Sequence, residues 1–143
     1  MSTCQPIIDN ENMMGKIEIK SSRIKNAGFG VYAKKTIKKD TRLDEYRGRI
    51  IDAKEFNRLR NTQYVFEVVK KIAGKYQTCY IDAKDPKQSN WTRYINGAKT
   101  SFQKKKINIR AYQYDGKIFY KTIKNIPEGQ EIITDYGDGY WVD

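Results

Sequence analysis

Asp115-Gly116 stands between two strand-like runs, residues 107–114 and 117–123, and is the strongest local hairpin signal in the chain. A two-residue turn of this kind needs positive φ at both central positions, which such a pair tolerates. Residues 64–69 and 76–81 read as two more strands, joined through Ala73-Gly74-Lys75 as a second hairpin. The rest of the chain is punctuated in the same way. Ile17 and Ile19 alternate with polar residues, and Gly28 and Gly30 bracket Phe29 ahead of Val31-Tyr32-Ala33. Lys38-Lys39-Asp40 reads as a turn, residues 43–51 as a strand with Gly48 inside it, and Pro127-Glu128-Gly129 as a turn before a last strand at 130–134. Helical spacing is confined to residues 52–61, where Ala53, Phe56 and Leu59 share a face, and to a helical turn in 89–98 that leads into a loop. The expected fold class is therefore mostly β with short helices.

The chain has 143 residues, the size of one domain, and its 38% hydrophobic content supplies an adequate core. Residues 1–15 are polar with little periodicity and read as a flexible or loosely docked arm, which leaves 16–143 as the domain. No apolar run approaches a membrane span, so no membrane partner is expected. Residues 1–10 lack the basic start and apolar stretch of a secretory signal. The absence of histidine excludes Ser/His/Asp and Cys/His catalysis. Two cysteines, Cys4 and Cys79, are too few for a Cys/His zinc site and far apart in sequence. An intracellular protein without a metal centre is expected. The net charge of +11 suits DNA, RNA or an acidic protein surface. It also suits a chain whose Ile, Asn, Lys and Tyr richness reflects an AT-rich gene. Both readings stand at this point.

Two segments in the second half suggest one composite site. RYINGA at Arg93–Ala98 and EIITDYGDGYW at Glu131–Trp141 are apolar runs that end in polar residues, where strands run out and sites are built. The second exposes Tyr136 beside Gly137, which permits close approach of backbone and ligand.

With these motifs in order, the chain resembles a SET domain, the catalytic domain of S-adenosylmethionine-dependent protein lysine methyltransferases. The resemblance covers nearly everything from Lys16 to Trp141. AGFGVYA is similar to the opening glycine motif and EYRGRII to the second. QYVFEV and YIDAKD resemble the central strands. NWTRYINGA resembles the asparagine motif in its PR/SET form, and IPEGQEIITDYGDGYW the closing motif, with an ending similar to that of small viral SET proteins. The resemblance implies small curved β-sheets around a pseudoknot.

It also implies roles. Tyr136 matches the catalytic tyrosine, with Tyr46 and Tyr120 as further tyrosines of the substrate channel and Phe66 and Thr134 on its wall. Thr134 occupies the place, two before Tyr136, that often sets the number of methyls added. Ala27, Phe29 and Gly30 match the loop at the methionine part of S-adenosylmethionine. Tyr64, Asn96, Gly97 and Arg93 match further cofactor positions, with Arg93 either facing the carboxylate or bracing the loop. Tyr140 and Trp141 match the aromatics over the adenine. Gly97 stands where many members have histidine, a departure shared with the PR/SET form. The cysteine-rich flanks common in the family are missing from these 143 residues, so no zinc-bound tail is expected to close the channel. Tyr140 and Trp141 could suffice, a partner protomer of a homodimer could supply the wall, or the channel could stay open. The implied substrate is a histone tail or another lysine-containing protein, which places the protein in the nucleus or on chromatin, with nucleosomal DNA as the partner of the basic surface. The alternative is a non-catalytic SET-like module that binds chromatin proteins.

Overall fold

The computed structural model describes residue 13, residues 15–135 and the backbone of 141–142. Eleven strands are present among these residues, arranged in four small sheets. Strand β1 (Ile17–Ser21) pairs antiparallel with β2 (Phe29–Ala33). Strands β3 (Arg42–Glu45), β8 (Ile109–Tyr114), β9 (Lys117–Thr122) and β11 (Trp141–Val142) form a sheet in the order β11-β8-β9-β3. Strands β4 (Arg49–Ile51), β5 (Val65–Ile72) and β6 (Lys75–Asp82) form another, in the order β4-β6-β5. The last sheet is the parallel pair β7 (Asn96–Ala98) and β10 (Ile133–Asp135).

Both sequence-predicted hairpins are present, and both turns have the geometry that two-residue loops require. Asp115 and Gly116 have φ of 49° and 73°, and Ala73 and Gly74 have 51° and 80°. The β5–β6 strands run longer than their apolar cores, to Ile72 and Lys75, because the tight turn closes the ladder through exposed lysines. The strand expected over 43–51 is two strands. The backbone breaks at Tyr46–Gly48, where a Cβ on Gly48 would lie 2.5 Å from the Asp82 carbonyl oxygen, so close packing rather than continuous pairing sets this segment.

The helix expected over 52–61 is a single turn, α1 (Ala53–Phe56), capped by the Asp52 carboxylate accepting from Glu55 N. Arg58, Leu59 and the residues beyond leave the helix. The helical turn expected in 89–98 is a 3-10 turn, Trp91–Tyr94, followed by strand β7. A second helix, α2 (Ser101–Lys104), was not expected. Its signal is a capping box, with Thr100 accepting from Gln103 N and the Gln103 side chain returned to the Thr100 backbone.

The core gathers one residue or more from almost every strand: Ile17, Val31, Val68, Ile109, Ile118 and Ile132 are nearly fully enclosed around Trp91. Met13, from the segment read as an arm, is buried in the same cluster. The Trp91 indole donates to the buried Asp44 carboxylate at 3.0 Å, which satisfies the polar edge of the largest core side chain.

Candidate active site

A cleft of about 980 Å³ opens between the loop before β2, the start of β5, the 3-10 turn and the ends of β7 and β10. Asn90 sets the turn on one side. Its side-chain oxygen accepts from Thr92 N, and its amide donates to the Glu45 carbonyl at 2.8 Å. The turn is thereby tied to β3, and Arg93 and Tyr94 are carried to the cleft wall.

At one end of the cleft three rings meet edge to face. Tyr46 lies 4.7 Å from Phe66 and 6.2 Å from Tyr120, and Phe66 lies 6.3 Å from Tyr120, between ring centres. The interplanar angles of 72–79° are those preferred by aromatic quadrupoles. Tyr46 and Tyr120 are buried, yet all three rings line the cleft. The Tyr46 hydroxyl donates to the Tyr64 carbonyl at 2.7 Å. Burial first, and then the neighbouring Tyr120, push the Tyr46 phenol far above its ordinary range, and burial does the same to Tyr120. Both phenols are therefore held in the neutral form around neutral pH. Thr134, buried on β10 and paired with Gly97 on β7, lines the same cleft beside Asp135.

At the other end, Phe29 exposes 45% of its surface and meets Tyr94 edge on at 6.0 Å. The Asn96 amide donates to the Phe29 carbonyl at 2.9 Å and to the Glu131 carboxylate at 3.2 Å. Two acceptors fix the orientation of this amide and, among the described residues, leave its Oδ1 as the group still available. Arg93 is committed differently. Its Nε donates to the Ala83 carbonyl and its Nη2 to the Lys84 carbonyl, both at 2.8 Å. Its guanidinium also lies 4.4 Å from the Tyr64 ring centre and 4.8 Å from that of Tyr94. Ala27, Tyr64 and Gly97 complete the wall.

Gly30 sits behind this wall. A Cβ there would lie 2.4 Å from Glu131 Oε2. The space is used by the Glu131 carboxylate, which accepts from Ser22 Oγ at 2.7 Å and Arg23 N at 3.3 Å as well as from Asn96. The fully buried Asn108 fixes the backbone on which Glu131 sits, donating to the Glu131 carbonyl at 2.9 Å and accepting from Ile133 N at 2.8 Å.

Residues 17–142 match the family model for the PR domain of PR domain zinc finger protein 2. The chain belongs to the PR-domain family, a relative of the SET domain. The PR domain is 35% identical over 122 residues to the histone-lysine N-methyltransferase set-17 of Caenorhabditis elegans, a match covering 85% of this chain and 41% of that protein. It spans less than half the length of the first curated relatives it matches. Its fold is that of the methyltransferase domain of human PR domain-containing protein 2, with a TM-score of 0.71 at 23% identity over 100% of this chain and 92% of that one. The same fold occurs in Chaetomium thermophilum polycomb repressive complex 2 bound to S-adenosylmethionine, with a TM-score of 0.66 at 22% identity over 88% of this chain and 16% of that one.

Of the site residues expected from sequence, this PR domain brings Tyr46, Phe66, Tyr120 and Thr134 together at one end of the cleft and Ala27, Phe29, Tyr64, Arg93, Asn96 and Gly97 around the rest. Tyr136 and Tyr140 lie outside the described residues. Trp141 is described only as backbone, paired with Tyr112 across β11 and β8. Sequence reading passed over Glu131 and Tyr94. Tyr94 adjoins Arg93 in the asparagine motif and could have been found there. Glu131 had no comparable signal, because its donors come from residues 22, 23 and 96.

Proposed function

We propose that this PR domain is an S-adenosylmethionine-dependent protein-lysine N-methyltransferase that acts on a histone tail. The observation that carries the reading is the cluster of Tyr46, Phe66 and Tyr120 at one end of a cleft whose other end holds Asn96 and Phe29. The name of the nematode relative supports the histone and the lysine. We assign residues 16–143 to the domain, 1–15 to an arm docked on it through the buried Met13, and the activity to chromatin in the nucleus. A second protomer is one arrangement that would close the channel.

The residues fit the cofactor. The available Asn96 Oδ1 is an acceptor suited to an ammonium, and Phe29 offers an exposed ring beside it. Arg93, held by two carbonyls and two rings, is assigned to bracing this wall. Gly30 is assigned to making room for Glu131. Tyr140 and Trp141 are assigned to the adenine by their motif alone. Bound in this cleft, S-adenosylmethionine supplies an electrophilic methyl on a sulfonium.

The chain's own task is to present a neutral amine in line. Free lysine has a pKa of about 10.4, so the ammonium must lose a proton first. A channel walled by Tyr46, Phe66 and Tyr120 disfavours the charged form by desolvation. The buried phenols assist by staying neutral, since a phenolate there would hold the proton on the amine. Because the Tyr46 hydroxyl gives its proton to the Tyr64 carbonyl, it turns lone pairs to the channel and can orient an amine N–H. We assign Tyr136 to the same alignment at the methyl, where misplacement by 1 Å costs about 10²-fold. Thr134 is smaller than an aromatic residue and leaves room for more than one methyl.

The test is transfer of labelled methyl to core histones and nucleosomes by the native chain and by Tyr136→Phe, with cofactor binding measured alongside. Label on a histone lysine that falls about 10²-fold in the variant is the expected result. Cofactor binding without transfer to any histone would replace the histone by another protein substrate. Neither binding nor transfer would overturn the enzyme reading and leave a protein-binding module.

A further inference from the structure

Three basic segments far apart in sequence meet at one end of the β8–β9–β3 sheet. The turn before β3 carries Lys38 and Lys39, the end of β9 and the residues after it carry Lys121 and Lys124, and the end of α2 and the loop that follows it carry Lys104–Lys106. Hydrogen bonds hold them together. Lys39 N donates to Asn125 Oδ1 at 2.8 Å, Thr122 Oγ1 donates to the Lys38 carbonyl at 2.7 Å, and Lys124 Nζ reaches the Lys105 carbonyl at 3.5 Å. Arg42, Lys121 and Arg110 then lie in register on three neighbouring strands, so their side chains leave the same face. Strands stand about 4.8 Å apart, which makes this row a band of closely spaced cations.

These lysines are exposed, and none forms an ion pair among the described residues, whose salt bridges are Lys20–Glu18 and Arg49–Glu55. Asp40 and Glu128 are the acids of the adjoining turns. Gathering like charge in this way opposes folding by self-repulsion. Ring contacts offset part of this, with the Arg42 guanidinium 3.7 Å from the Phe119 ring centre and Lys106 Nζ 4.6 Å from that of Phe102.

We propose that this face docks on the phosphate backbone of duplex DNA. The proposal deepens the reading above by naming a partner, and rests on it only for the DNA being nucleosomal. Lysines on turns are flexible point charges, suited to a dense array of phosphates and not to planar, bidentate recognition. Duplex DNA presents about one charge per 1.7 Å of axis. Single-strand stacking is disfavoured beside the row, where the outer-face rings are already used; the exposed Tyr114 lies at the far, turn end of the hairpin, and Lys106 sits over the exposed Phe102 ring. Tyr112 stacks on Phe119 at 5.7 Å, and Arg42 caps Phe119. The face also leaves the cleft free. Lys121 follows Tyr120 on β9, and successive strand residues point to opposite sides, so DNA and substrate tail engage opposite faces of one sheet.

The test is fluorescence polarisation of a labelled 20-base-pair duplex of mixed sequence, without cofactor, between 50 and 200 mM salt. About six phosphate contacts give a slope of log K against log salt near −5. Replacing Lys39, Lys105, Lys121 and Lys124 by Gln lowers affinity by about 10² or more at low salt and reduces the slope by roughly 3 to 4. Replacing Lys54, Lys71, Lys75 and Lys87 by Gln, an equal change in charge elsewhere on the surface, changes affinity less than about threefold. Equal losses in the two quadruple variants would overturn the proposal, since net charge alone would then explain binding. So would competition by polyglutamate as effective as that by duplex at equal charge. Methyl transfer to a free histone-tail peptide, read in parallel, stays unchanged in the first variant. Absence of transfer in the native chain would sink the enzyme reading while leaving the duplex result standing.

Discussion

Gly30→Ala is expected to destabilise the protein through one carboxylate, and the double variant with Glu131→Ala is expected to be no worse than Glu131→Ala alone. The new Cβ would stand 2.4 Å from Glu131 Oε2 and 3.1 Å from Ser22 Cβ. Gly30 does not have positive φ, so backbone strain contributes nothing, and alanine lowers unfolded-state entropy in favour of folding by about 0.4–1 kcal/mol. Against this stand overpacking, at about 1–3 kcal/mol, and the partial loss of the hydrogen bonds to Ser22, Arg23 and Asn96 as the carboxylate is displaced. Bonds to a charged acceptor contribute about 1.5–3 kcal/mol each, so a net loss of roughly 3 kcal/mol is expected. Glu131→Ala removes the same acceptor and should also cost roughly 3 kcal/mol. Independent effects would sum to about 6 kcal/mol in the double variant. A steric origin predicts about 3, because the clash leaves with the side chain, giving a coupling near −3 kcal/mol. Urea denaturation resolves this, since 3 kcal/mol moves the midpoint by about 1 M or more at the usual slope for this size. Additive losses, or a Gly30→Ala protein as stable as the parent, would refute the reasoning.

Gln113→Leu removes two hydrogen bonds that join the two large sheets, Val69 N to Gln113 Oε1 at 2.9 Å and Gln113 Nε2 to the Val69 carbonyl at 2.8 Å. A loss of roughly 1–3 kcal/mol by denaturation, with faster hydrogen exchange at the Val69 amide, is expected. Stability should also fall at high pH, because Tyr46 and Tyr120 have folded pKa values raised above the ordinary 10.0. Their contribution is complete below pH 10 and is lost as pH rises beyond it, at about 1.4 kcal/mol per pH unit for each phenol. The double variant Tyr46→Phe/Tyr120→Phe, compared with the parent between pH 9 and 11, should have the shallower decline. Equal slopes would remove the case for neutral buried phenols.

The hairpins were legible because Asp115-Gly116 and Ala73-Gly74 act locally, through backbone angles that few pairs accept. The mostly β class followed from the same punctuation. The residues that line the cleft came from motif resemblance, since no periodicity distinguishes Tyr46 or Tyr120 from other strand tyrosines. What stayed hidden was non-local. The break between β3 and β4 depends on Asp82 approaching Gly48, and α1, which buries no residue, stops after one turn although its apolar spacing continues to Leu59. α2 was missed for a different reason, because the capping box Thr100–Gln103 was there to be read but no apolar stripe follows it. Arg93 illustrates the limit of motif transfer. Sequence left it between facing a carboxylate and bracing a loop, and its bonds to the Ala83 and Lys84 carbonyls, which no motif reports, support the proposal that it braces.

The alternation of a strand explains how the two proposed functions coexist in so small a domain. On β9 the inward residues Ile118, Tyr120 and Thr122 are buried, while Lys117 and Lys121 are exposed. Phe119 is the outward residue that does not follow the rule, and it is covered by Arg42 from β3 and Tyr112 from β8. One hairpin thus builds a cleft wall and a cationic face with no extra chain, because its period of two assigns neighbours to opposite sides. The arrangement also couples them. A one-residue slip in the β8–β9 register would turn Tyr120 outward and Lys121 into the core, removing both surfaces at once. The Asp115-Gly116 turn, which fixes that register, therefore matters to the cleft although it lies at the far tip of the hairpin.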